Sequence, residues 1–338
     1  MTRAAITVTA ALLSLSLAQS AAAQANLNGT PGNCDKPCLT AMADAYFAAL
    51  VAHDPSKAAM APTAKFTENA QVVKVGEGLW KTASEAPTTF KVYVPDPIAG
   101  QLGAIVLMKD AGKAIQLALR IKVVNKQITE AEHIIARNVN EANFQSPRPG
   151  LLATVPPAER TPRGLMLVVG HSYYDALEQS DGSAAPFADD CSRRENGMTT
   201  GGVGAGRGGP PATGGARGTG AAPRAGGPGF GPSTCAAQID TRTFYYITSI
   251  DLRRVWIADE EKGLVFGLSM FRHPMEEKIF DVIAADGTRT PRDMTKQNPF
   301  DFESVHILKI QRGQIHEIEA MGISLPYKSK NGWSDFWR

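Results

Sequence analysis

The side chains best suited to moving protons near neutral pH are histidines, and four of the six lie in or beside Val- and Ile-rich segments: His133, His273, His306 and His316. Imidazole titrates in that range without help. His273 precedes Pro274, which ends a strand and can set the ring at an open mouth of the fold. Five arginines, Arg193, Arg194, Arg253, Arg254 and Arg272, stand near the same segments. They offer charge to a carboxylate or phenolate ligand, or simply a solvated strand edge. No HxH or HExxH spacing supports a metal, and His171 with Asp175 is an isolated pair, so no metal and no cofactor are expected. Gly170-His171-Ser172 lacks the GxSxG frame of a serine nucleophile. Gly204 to Gly209 matches GxGxxG but follows no strand and opens no helix, which leaves the dinucleotide reading empty.

The elements that must position these residues come as a repeat. Tyr46 to Asn69 and Tyr173 to Asn196 align without a gap at an offset of 127, with 9 of 24 positions identical, among them Tyr46/Tyr173, Glu68/Glu195 and Asn69/Asn196. Gln127 to Glu132 matches Gln314 to Glu319 at an offset of 187. Two copies of one unit follow, and 338 residues suit two domains. Each copy reads as a helix with an apolar stripe (Leu39 to Ala52; Leu165 to Gln179) followed by strands. The strands fall at 62–75, 90–94, 102–109, 114–124 and 127–135, then at 244–250, 255–258, 264–271, 304–311 and 314–321. A helix covering one face of a curved antiparallel sheet is an α+β unit. The expected boundaries are 34–137 and 164–325, a Pro-rich linker at 138–163, and a tail at 326–338.

The chain opens with Arg3, a short apolar stretch and an Ala-rich cleavage site, a signal peptide over 1–23 that implies export to a periplasm. No later run is apolar enough to span a bilayer, so no membrane is expected after cleavage. The even number of cysteines suggests disulfides, Cys34 with Cys38 and Cys191 with Cys235. The second would close an insertion at 200–233, where Gly201 to Pro232 holds 14 glycines among 32 residues and too little apolar surface to fold. A formal charge of +2, without basic runs, argues against nucleic acid.

Phe187-Ala188-Asp189-Asp190 before a strand and Arg312-Gly313-Gln314-Ile315 in the last hairpin, together with the helix bearing Tyr-x-Ala-Leu, resemble the nuclear transport factor 2-like superfamily. That group includes ketosteroid isomerase, scytalone dehydratase and the SnoaL polyketide cyclases. The resemblance implies two fused cone-shaped domains packed as a pseudo-dimer, in a monomer or homo-oligomer, each able to enclose an apolar or aromatic ligand. Laid on ketosteroid isomerase, it places Tyr46 and Tyr173 at the oxyanion-stabilising tyrosine, and Glu68 and Glu195 at the general base, where that enzyme carries Asp. Asp96 and Asp251 are candidates for its second acidic donor. His273 joins the catalytic candidates, while Asn69, Asn196, Arg194, His133 and His306 are candidate ligand contacts. Asn69 and Asn196 have another reading, that each ends its first strand in the same way. The expected activity is a cofactor-independent lyase or isomerase on an aromatic, oxygenated molecule such as an aromatic dimer. The alternative is a binding module without turnover, since the superfamily also contains non-enzymes.

Overall fold

The computed structural model describes residues 34–202 and 234–333. The segment 1–23 expected to be a signal peptide and nearly all of the glycine-rich insertion lie outside these described residues. The chain is a mostly-sheet α+β protein with few helices and two large curled sheets, each shaped like half a barrel.

The first sheet is built from β1 (Met60–Glu68), β2 (Gln71–Val73), β3 (Ala83–Glu85), β4 (Lys91–Asp96), β5 (Gln101–Asp110), β6 (Lys113–Val124) and β7 (Gln127–Ala136), in the order β2-β1-β7-β6-β5-β3 with β4 also on β5. Helix α1 (Lys36–Val51) covers its inner face. Leu39, Ala43, Tyr46, Phe47 and Leu50 fall three and four residues apart, which puts them on one buried stripe. Asp35 caps the helix by accepting from the Cys38 N–H.

After short α2 (Pro149–Leu152), helix α3 (Arg163–Gln179) opens the second unit and buries Met166, Val169, Tyr173, Tyr174 and Leu177. The second sheet contains β8 (Phe187–Glu195), β9 (Met198–Gly202), β10 (Ser249–Asp259), β11 (Leu264–His273), β14 (Phe300–Gln311) and β15 (Gln314–Pro326). Its order, β9-β8-β15-β14-β11-β10, repeats that of the first sheet with β10 in the place of β4, while β3 has no counterpart. Helix α4 (Cys235–Asp240) and the separate hairpin β12 (Ile279–Ile283) with β13 (Arg289–Asp293) are additions without counterparts in the first unit. Both expected disulfides form, Cys34–Cys38 and Cys191–Cys235, the second tying β8 to α4.

Two expectations need correction, and the linker between the copies takes on a structure of its own. The sheets are mixed rather than antiparallel: β1 runs parallel to β7, and β8 parallel to β15. Residues 244–247 form a turn after α4, and the strand begins only at Ser249. The Pro-rich linker is packed, with Phe144, Leu151 and Val155 buried and Phe144 edge-on to Phe90.

The outer faces of the two sheets share one apolar layer. Val92, Val94, Ile105, Ala118 and Ile134 of the first pack with Ile257, Phe266, Leu268, Val305 and Met321 of the second. Gly103 is required there: a Cβ at this position would sit 2.2 Å from the Phe266 ring. A polar brace runs through the layer. Arg254 forks onto Glu132 with two bonds of 2.6 Å, and Glu132 also accepts from Arg120 Nε at 2.9 Å. Trp333 from the C-terminal segment covers this cluster, its ring 4.5 Å from the Arg120 guanidinium, and donates from Nε1 to Thr67 of β1 at 3.0 Å.

Candidate functional site

In each sheet the repeated residues converge on the concave face, under the helix. On the first, Tyr46 of α1 is fully buried and its hydroxyl meets His133 Nε2 of β7 at 2.9 Å. The other ring nitrogen of His133 lies 3.6 Å from Glu68 Oε2. That carboxylate also accepts from the Leu79 N–H at 2.8 Å. Gly78, at φ +63°, permits this wrap, because a Cβ there would lie 2.6 Å from Glu68 Oε2. Burial works against charge on Glu68, but His133, the Leu79 N–H and Arg137 outweigh it and hold the carboxyl below its usual range. Burial pushes the Tyr46 phenol well above its ordinary value. Trp80 closes the cluster, edge-on to Tyr46 at 5.1 Å. The first site is thus a tyrosine–histidine pair closed by a hydrogen bond, with Glu68 beyond hydrogen-bond distance of His133 Nδ1, which has no hydrogen-bond partner.

The second concave face differs. Tyr173 is buried, and its hydroxyl proton has no acceptor; the group beside its oxygen is Arg193, which can only donate. Arg193 and Glu195, two residues apart on β8 and so on one face, are ion-paired, and both act electrostatically on Tyr173. Burial raises the Tyr173 pKa despite the opposing pull of Arg193, so the phenol keeps its proton. His306 of β14 packs edge-on against Tyr173 at 5.0 Å and meets the Tyr174 hydroxyl through Nδ1 at 3.2 Å. Burial first, and Arg193 second, depress the His306 pKa far below normal, which leaves the ring neutral. Tyr246 faces the same charges; burial lifts its phenol to about 12. It also lines a cavity of about 280 Å³ with Glu178, Tyr245, Ile247 and Met275, at the small end of the range for ligand pockets.

The two histidines occupy one place by different routes. Leu119 of β6 faces His133 of β7, whereas His306 of β14 faces Ala320 of β15. The ring has crossed to the neighbouring strand at the same register, so an alignment of the copies pairs histidine with leucine and alanine. Arg193, which the repeat aligns with Phe66, is the one of the five arginines noted in the sequence that reaches this site; its two-residue spacing from Glu195 is the signal that singles it out.

Other candidates lie elsewhere or are committed to structure. His273 is stacked between Tyr246 and Phe300, and burial drops its pKa to about 4. Asn69 and Asn196 have φ of +49° and +45°, and their side-chain oxygens accept from Ile135 and Gly322 at 2.8 and 3.2 Å. Each ends its first strand against the last, so the ligand-contact assignment gives way to the strand-ending one. Asp96 is buried and accepts from Ile98, Ala99, Arg163 and Ala258, bracing the two sheets instead of facing a ligand. Asp251 is paired with Arg272 at an exposed edge. Arg194 is half-buried on β8, beside Glu319 of β15. Among the described residues no group of three or more His, Cys, Asp or Glu side chains is arranged to hold a metal ion, and no helix is long and apolar enough to cross a membrane.

Residues 159–322, nearly the whole second unit, match a family model described as a domain of unknown function (DUF8021). No curated protein matches the chain. Among solved structures, the chain is similar to AclR of Streptomyces galilaeus, a provisionally named hydroxylase, at 14% identity and a TM-score of 0.25, covering 37% of this chain and 92% of that one. A likeness that slight carries no functional argument.

Proposed function

We propose that the chain is an exported, cofactor-independent lyase or isomerase that works in its second unit on an apolar, aromatic, oxygenated molecule, for which an aromatic dimer is one candidate. The observation that carries this reading is the buried Tyr173 hydroxyl, still protonated and with no acceptor for its proton, beside the Arg193–Glu195 pair. A phenol in that state can donate to an oxygen on which charge develops. Glu195 takes a proton from carbon, the electron pair moves to the oxygen facing Tyr173 or expels a leaving group, and Glu195 returns the proton. Arg193 positions Glu195 and steadies the added negative charge. In the first unit the corresponding groups are already engaged, the Tyr46 hydroxyl by His133 and Glu68 by the Leu79 N–H. In this reading it is a structural partner, and the two units together stand in for a homodimer of cones, as the superfamily resemblance implies. The two disulfides suit an exported chain.

The test is turnover of a panel of aromatic keto and ether compounds by the wild type and by Glu195→Gln, Tyr173→Phe and Glu68→Gln. Glu195→Gln should lower kcat about 10²- to 10⁴-fold, the usual worth of a general base, with ligand binding retained, while Glu68→Gln should stay near wild type. Equal turnover by Glu195→Gln and wild type would sink the assignment. The closed Arg193–Glu195 pair favours a second reading, a binding module, which predicts saturable binding with no turnover by any form.

A further inference from the structure

The layer between the sheets contains a carboxyl group that nothing in the structure satisfies. Glu303 of β14 is 2% exposed, and neither of its side-chain oxygens has a hydrogen-bond partner. It lies on the face of β14 that carries Val305 and Ile307 into the shared apolar layer. The groups acting on it are Glu132 of β7 and Arg254 of β10. Arg254 already spends both Nη groups on Glu132, while its Nε is buried without a partner. Arg120 of β6 is the second cation on Glu132. On Glu303's own strand, Asp301 is tied to Arg272 of β11 and to Ser329. On β15, Glu319 is tied to Arg148. Every cation that the structure places nearby is therefore engaged by another carboxylate.

The repeat supplies the control. At the offset of 187 that aligns the last hairpins, Glu303 corresponds to Gln116 of β6, the uncharged isostere, which is also fully buried. The fold accepts a neutral polar side chain at this position in one unit and a carboxyl in the other.

We propose that Glu303 is a proton-operated switch in the join between the two sheets: protonated, it sits idle beside the Arg254–Glu132 pair, and ionised, it competes with Glu132 for Arg254 and loosens the join. Burial first, and then the charge of Glu132, lift its pKa to about 8 against the pull of Arg254. Because the folded value exceeds that of the unfolded chain, stability is full below the unfolded pKa and falls as pH rises toward the folded one. Glu319, raised to about 7 chiefly by burial, adds a loss in the same direction and must be separated from it.

The experiment is thermal unfolding of the full chain, disulfides intact, from about pH 5 to pH 9, for the wild type, Glu303→Gln and Glu319→Gln. The contribution of Glu303 to the wild-type Tm should fall by several degrees from the acid end of that range up to about pH 8 and level off above it. Glu303→Gln should remove part of the fall that remains in Glu319→Gln, and should melt above wild type at the alkaline end. A Glu303→Gln slope identical to wild type overturns the switch. A variant-free readout guards against misfolding: infrared titration of the wild type should show a protonated carboxyl band that disappears near pH 8, and its absence at neutral pH overturns the proposal as well.

Discussion

At the scale of residues, burial sets the chemistry of the interior more than any single contact does. His273 and His306 are held neutral because a charged ring would lose its hydration with little in return. Their folded pKa values lie below the unfolded one, so the unfolded chain takes up protons first as pH falls. Stability is therefore present above the unfolded imidazole value and lost as pH drops through it toward about 4. Thermal melts between about pH 7 and pH 4 should show this loss, and His306→Phe should flatten part of it. A variant with the wild-type acid slope would show that His306 contributes nothing to the acid limb. The same burial keeps Tyr173 protonated, so its donor role in the proposed reaction does not depend on a particular pH near neutrality.

At the scale of elements, Asn69 and Asn196 show how a repeat can preserve folding rather than chemistry. Each brings its strand to an end with a left-handed turn and a bond to the strand that runs parallel beside it. Asn69→Ala should cost about 1–3 kcal/mol in chemical denaturation, because the Ile135 N–H loses its acceptor, while ligand affinity stays unchanged. A loss of affinity without a loss of stability would return Asn69 to the ligand. Much at this scale was legible in the sequence. Apolar runs such as 102–109 and 114–124 predict β5 and β6 to within a residue or two, because a strand buried on both faces must be apolar throughout. The parallel pairing of β1 with β7 was not legible, since alternation reports which face a residue occupies and not the direction of its neighbour. Hairpin β12–β13 was missed because only its first strand, the five-residue run Ile279–Ile283, is mostly apolar, while Arg289–Asp293 is polar and exposed and carries no alternation. The site was half legible: Tyr173, Glu195 and His306 do meet on one face, but the strand exchange that brings His306 there leaves no trace in an alignment.

At the scale of the whole molecule, two curled sheets share an apolar layer and a buried ionic brace. Burying Glu132 is costly, and Arg254 and Arg120 offset that cost by holding it ionised. Glu132→Leu should destabilise the chain by about 3–5 kcal/mol, because the buried Arg254 loses both of its bonds to Glu132 and Arg120 keeps only Gln101 and Glu130. Adding Arg254→Met should recover part of that loss, and a double-mutant cycle measured by denaturation gives the coupling directly. Strictly additive effects would mean that the fork contributes nothing to the join.

The bond between Cys191 and Cys235 spans 44 positions and has a consequence for how the second unit can vary. A peptide bond broken anywhere between these cysteines leaves one covalent molecule, because β8 stays attached to α4 through sulfur. Continuity of the chain through this region is thus carried twice. Lengthening the intervening segment costs little closure entropy, about 0.6 kcal/mol for each doubling. The glycine-rich stretch can therefore drift, expand, shrink or be severed during evolution while the strands on either side keep their places.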